Sequence, residues 1–282
     1  MRKVKLHLNY AGYCYAKEND AIRGGRKQKI VFNALWGLIQ HPEKGWILYD
    51  TGYTNRFFDE TATYPNKIYA KMTQVVIDAK DEVHSQLKEN GISPTDIQHV
   101  IITHFHGDHV AGLRDFPNAT IYASSAALKQ ALKIPRALAF TKGILKGLLP
   151  DDLESRTQII ETVATKIEDE ILGSTYDIFG DDSVKMIWLP GHAAGQMGVL
   201  IETEKKQYLL AADSVWLKKS YEEMILPNSI VRLFFHSWSD FKRSLKKIHD
   251  YHKAYPNTVI IPTHCAVTTD PLISREITLD VL

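Results

Sequence analysis

The sequence predicts a layered α/β protein. Two observations carry that prediction. Short apolar, β-branched runs recur along the chain with helical patterns both between and after them, and several of these runs end directly on a histidine or an aspartate. Open α/β sheets collect their reactive side chains at such strand ends.

Residues 3–8 and 30–39 are rich in β-branched and apolar side chains and predict strands. His41-Pro42-Glu43-Lys44-Gly45 reads as a hairpin turn into a strand over 46–50, which closes on Asp50-Thr51-Gly52. Val76, Ala79, Val83 and Leu87 then share one face of a predicted helix, with Asn90-Gly91 as its C-cap. After the turn Ser93-Pro94-Thr95-Asp96, a short strand over 99–102 delivers the run Thr103-His104-Phe105-His106-Gly107-Asp108-His109. Another strand is predicted at 120–123. Residues 124–182 are helical in pattern but broken at Pro135, Gly143, Gly147 and Pro150, which predicts a helical insertion over one edge of the site. Strands resume at 184–189 and 207–211. Ser239 reads as the N-cap of a helix to Ala254, with Phe241, Leu245 and Ile248 on its apolar stripe, and a last buried strand follows at 258–261. No linker, composition shift or repeat divides the 282 residues, so one domain over 1–282 is expected.

Composition removes several function classes. The 34 basic and 33 acidic residues are mixed throughout and leave a net charge of +1, without the basic stripe of a nucleic-acid binder. The two cysteines, Cys14 and Cys265, lie far apart and outside any Cys-x-x-Cys pattern, so no disulfide framework is indicated. The charged start has no apolar stretch behind it, and nothing approaches the ~20 apolar residues of a membrane span. A soluble, cytoplasmic protein acting on a small molecule, with no nucleic-acid or membrane partner, is expected; oligomeric state is not legible. Neither a Gly-x-Ser-x-Gly elbow nor a P-loop is present.

The positive signal is the histidine run. His104, His106, Asp108 and His109 place four metal-competent side chains within six positions. In an extended segment, alternate residues point the same way, so His104 and His106 can face one ion. A turn eased by Gly107 would aim Asp108 and His109 at a neighbouring point. A catalytic zinc takes roughly three protein ligands and a water, so this set plus outlying ligands exceeds the need of one ion. The outlying candidates are His192, Asp213 and His264, each just past an apolar run; Asp50, similarly placed, could orient a ligand histidine. Crowding such groups together without a metal would be electrostatically costly. The other seven histidines read as surface or packing residues. Among them His236, amid Phe234, Phe235 and Trp238, is a candidate pocket wall. Cys265, beside His264, reads as packing.

Thr-His-Phe-His-Gly-Asp-His-Val-Ala-Gly resembles the His-x-His-x-Asp-His signature of the metallo-β-lactamase superfamily. Asp50-Thr51-Gly52, Gly191-His192, Asp213 and His264 follow that family's order. The resemblance implies a four-layer αββα sandwich. It implies that His104, His106 and His192 bind a first metal, that Asp108, His109 and His264 bind a second, and that Asp213 bridges them. His109 favours the dinuclear hydrolase branches over the true β-lactamases. Two divalent ions are thus expected, zinc first, with iron, manganese or cobalt as alternatives.

Two such ions ~3.5–4 Å apart can share a hydroxide that attacks a carbonyl or phosphoryl centre, with Asp108 shuttling the proton to the leaving group. Size, layout and the stretch from Gly191 to Met197 look most like the acyl-homoserine lactonases, which implies lactone or carboxylic ester hydrolysis. Those enzymes usually carry a tyrosine three residues after the bridging aspartate. Here that position is Trp216, with Tyr221 as a conceivable substitute. The rival readings are a phosphotriester hydrolase or a thioesterase on the same metals, and, outside enzymes, a metal-binding scaffold without turnover.

Overall fold

The computed structural model describes residues 2–277. Thirteen strands are found among them: β1 (Lys5–Lys17), β2 (Lys29–His41), β3 (Gly45–Tyr49), β4 (Val75–Val76), β5 (Ile97–Ile101), β6 (Thr120–Ala123), β7 (Thr157–Ile159), β8 (Thr165–Asp169), β9 (Gly173–Asp177), β10 (Val184–Trp188), β11 (Met197–Glu202), β12 (Gln207–Ala212) and β13 (Val259–Pro262). They form a seven-stranded sheet in the order β4-β1-β2-β3-β5-β6-β7 and a six-stranded sheet in the order β13-β12-β11-β10-β9-β8. Both sheets are mixed. The β3–β5, β5–β6 and β6–β7 pairs and the β12–β13 pair are parallel, and the rest are antiparallel.

Period-two alternation sorts the apolar side chains between layers. Leu35 and Ile39 of β2 point into the seam between the sheets, where they meet Met186, Val199, Tyr208 and Leu210 of the second sheet. Their neighbours Trp36 and Leu38 point outwards, into a cluster with Val83 and Leu87 of the helix Val83–Glu89 and with Ala127, Leu128 and Ala131 of the helix Ser125–Lys133. On the opposite outer face, Leu209 and Ala211 of β12 meet Leu245, Ile248 and Tyr251 of the helix Trp238–Ala254. Each fully buried Leu or Ile contributes about 2 kcal/mol. The molecule is therefore helix, sheet, sheet, helix, the αββα sandwich that the resemblance implies. No helix of the described residues is long and apolar enough to cross a membrane.

Several local expectations are corrected. The helical character of 124–182 stops at Arg156; beyond it, β7, β8 and β9 complete both sheets, interrupted by the helix Ile160–Val163. The last strand of the second sheet, β8, is an almost wholly solvated edge, so no apolar alternation marks it. The predicted helix beginning near Val76 is only Val83–Glu89. Val76 belongs to β4, paired with Tyr13, and Ala79 opens a single 3-10 turn. The long C-terminal helix starts at Trp238, and its cap is Ser237, whose hydroxyl accepts from the Asp240 N–H, not Ser239. Strand β11 was not anticipated; all six of its residues are buried under cover on both faces.

Candidate metal centre

All seven predicted ligands lie just past strand ends, and they come from both sheets. The first sheet delivers four: His104 and His106 on the loop after β5, then Asp108 and His109 on the short helix Gly107–Val110. The second sheet delivers His192 after β10, Asp213 directly after β12, and His264 after β13. The strand ends at Ile101, so His104 and His106 converge through the loop and not through alternation along a strand. Gly107 has no left-handed backbone, and a Cβ there would meet only ordinary contacts, so the turn does not depend on glycine. Two other residues do the bending: Asp50, just past β3, and Ala212, ending β12, both adopt φ of 48°. Non-glycine residues rarely accept that conformation, which costs about 1–3 kcal/mol.

The site consists of two overlapping groups. In the first, the His104 ring centroid lies 4.4 Å from that of His106 and 5.2 Å from that of His192. His192 Nε2 is 2.9 Å from His106 Nδ1. In the second, Asp108 Oδ2 is 3.4 Å from His109 Nε2 and 3.5 Å from His264 Nε2. Asp213 touches both groups. Its Oδ2 lies 3.2 Å from His192 Nε2 and 3.1 Å from His264 Nε2, and its Oδ1 lies 3.4 Å from His109 Nε2. The candidate ligand atoms of each of three sets (His104, His106 and His192; His104, His109 and Asp213; Asp108, His109 and His264) fall within 4.8 Å of one another.

The donor chemistry fits divalent metal. His104 Nε2, His109 Nε2 and Asp213 Oδ1 are buried without a hydrogen-bond partner, an arrangement that is costly unless a cation satisfies it. Burial pushes the His104, His106 and His192 imidazoles below their ordinary value, His192 to about 3, so all three are neutral lone-pair donors at neutral pH. Burial also opposes charge on His109 and His264. There, however, the Asp108 and Asp50 carboxylates outweigh it for His109, and Asp213 outweighs it for His264, so both are raised. Burial likewise disfavours the Asp108 and Asp213 carboxylates, but the histidines prevail. His109 and then His264 bring Asp108 down to about 2, and His264 with His192 hold Asp213 well below its usual range.

A supporting shell fixes these rings. Asp50 Oδ2 lies 2.7 Å from His109 Nδ1, the orienting contact expected of it, and Asp50 also accepts from the Thr103 N–H and hydroxyl, each at 2.9 Å. His264 Nδ1 is 2.8 Å from the Asn33 carbonyl oxygen. That backbone contact has no sequence signature. Gly143, with φ of 70°, packs so closely on the His106 ring that a Cβ would come within 2.5 Å of Cδ2.

Beside the site, a cavity of about 440 Å³ is lined by His106 and His192 together with Tyr69, Met72, Phe140 and Leu233, among others. Its rim is apolar and open, with Leu233 77% and Met72 59% exposed. The sequence does not assign these residues; only Leu233 carries a local signal, the apolar stretch from Ile230 to Phe235, broken at Arg232. Trp216 lies in the centre, its indole N–H donating to Asp213 Oδ2 at 3.2 Å. Tyr221 does not substitute for a tyrosine there: it is buried in the outer core of the second sheet, edge-on to His252. The His236 side chain is exposed and does not line this cavity, though its backbone N–H donates to the His192 carbonyl. Cys265 is buried, its sulfur accepting from the Lys218 N–H.

Comparison with known proteins identifies the family. The chain is 29% identical over 265 residues to the N-acyl homoserine lactonase AttM of Rhizobium radiobacter, covering 92% of this chain and 93% of that one. It is 25% identical over 232 residues to the N-acyl homoserine lactonase of Bacillus cereus, covering 80% and 81%. Among solved structures, an N-acyl homoserine lactone hydrolase with the product N-hexanoyl-L-homoserine at its catalytic metal centre superposes with a TM-score of 0.74 at 21% identity, covering 96% and 97%. A dizinc quorum-quenching lactonase superposes at 0.64 with 15% identity, covering 93% and 87%. These superpositions bear on the fold. The Metallo-beta-lactamase superfamily model matches residues 30–264, a span that runs from β2 to the last of the clustered histidines. The chain belongs to the metallo-β-lactamase superfamily.

Proposed function

We propose that this chain is a dinuclear metal-dependent hydrolase that opens the lactone ring of N-acyl homoserine lactones or cleaves a closely related carboxylic ester. The observation that carries the reading is the position of Asp213, in contact with His192 on one side and with His109 and His264 on the other. One carboxylate reaching two ligand groups suits two neighbouring ions, and relatives named as lactonases over 80–92% of the chain support the substrate class.

In this reading His104, His106 and His192 hold one ion, Asp108, His109 and His264 the other, and Asp213 both. Zinc suits mixed imidazole and carboxylate ligands, and two such ions would supply an activated water and polarise the ester carbonyl. The Asp108 carboxylate is ionised at neutral pH, with Oδ2 turned to His109 and His264 as a ligand atom, so the group would take up the water proton and return it to the leaving alkoxide through its other oxygen. The apolar cavity beside His106 and His192 would receive the acyl chain and exclude water from the reacting centre.

The test is to assay the purified, metal-loaded protein side by side on acyl-homoserine lactones, aryl esters and phosphotriesters. Lactone opening is expected to dominate. Efficient phosphotriester turnover without lactone opening would overturn the substrate assignment.

A further inference from the structure

We propose that Trp216 is a positioning residue for Asp213, holding the shared carboxylate in the orientation from which it reaches both ligand groups. This rests on the two-ion reading above. The indole N–H donates to Asp213 Oδ2 at 3.2 Å, the same oxygen that faces His192 Nε2 and His264 Nε2. Asp213 Oδ1 is thereby left turned towards His109, buried and without a hydrogen-bond partner. The donor itself is fixed by packing. Phe32, His192 and Phe235 meet the Trp216 ring edge-on at centroid distances of 5.7, 5.7 and 5.3 Å. Phe32 in turn stacks flat on the His264 ring at 4.6 Å. This aromatic bracket therefore runs from His192 to His264, with the carboxylate under it.

The geometry also separates this role from a substrate contact. An indole nitrogen sits on the five-membered ring, close to the main chain, whereas a tyrosine hydroxyl caps the far end of its ring. The donor of Trp216 is spent on a carboxylate three residues back. Groups of this kind, which orient a ligand without binding the ion, change metal affinity by 10- to 100-fold when removed in other metal sites, typically.

The decisive variant is Trp216→Phe, which deletes the N–H and keeps an aromatic ring. The readout is the rate at which zinc is lost to a chromogenic chelator, measured with zinc stoichiometry, far-UV circular dichroism and lactone KM. Zinc release is expected to accelerate about tenfold, with the fold intact and KM for the lactone little changed. Where the smaller ring disturbs packing, site-specific replacement of Trp216 by its benzothiophene analogue removes the donor with the bicyclic shape preserved, and the same acceleration is expected. Release at the wild-type rate from a folded variant overturns the proposal, as does unchanged release with a raised KM, which would make the indole a substrate contact. If the wild-type protein takes up no zinc or other divalent metal, the two-ion reading falls and this one with it.

Discussion

The two halves of the candidate metal centre are prepared differently by the protein. Around His109 and His264 every ring has an outer anchor: Asp50 at 2.7 Å from one Nδ1, and the Asn33 carbonyl at 2.8 Å from the other. Histidines and carboxylates there alternate, and each raises or lowers the other towards its charged form. The His104, His106 and His192 half has lighter backing: the Thr103 hydroxyl lies 3.1 Å from His104 Nδ1, and no carboxylate among the described residues stands behind these three rings as Asp50 does behind His109. His192 Nδ1 is buried without a partner, and the three neutral rings turn lone pairs towards a common point. Metal-free, the carboxylate-rich half can hold its geometry by internal ion pairing, whereas the imidazole half has only a cation to reconcile it.

Three substitutions would break or sharpen this contrast. The largest effect is expected from Asp213→Ala, which removes the group common to both halves: lactone hydrolysis should fall to background, and metal analysis should find neither ion retained. Next, His106→Ala should abolish activity but lower bound metal from two equivalents to about one, because only the more lightly backed half is dismantled. Full activity in that variant would sink the entire site assignment. The mildest change is Asp50→Asn, which leaves every ligand in place and weakens the anchor of His109. Competition titration should show metal affinity reduced by about 10- to 100-fold on the His109 half, with a smaller loss on the other half through Thr103, which links Asp50 to His104. Equal weakening of both halves would show that they are not independently prepared.

The division between legible and illegible features follows the same physics. Each candidate ligand is visible because its chemistry is local: a histidine or aspartate just past a buried apolar run. Strand β8 was invisible because an exposed edge strand has no buried face to impose a pattern. Strand β11 was missed for the opposite reason. Buried on both faces, it is apolar without alternation and merges with the loop that carries His192. The false helix through Val76 shows that i, i+4 spacing can arise across a strand and a turn. The Asn33 carbonyl, the Gly143 contact and the direction of the Trp216 indole all depend on long-range packing, which no local window contains.

The origin of the ligands has one more consequence. His104, His106, Asp108 and His109 are carried by the first sheet, and His192, Asp213 and His264 by the second. A metal gripped by both would be a clasp across the seam of the sandwich, available only while the two sheets are docked. Its binding free energy would thereby add to the cohesion of the sheets, and metal supply would then govern how long the chain survives as well as how fast it turns over.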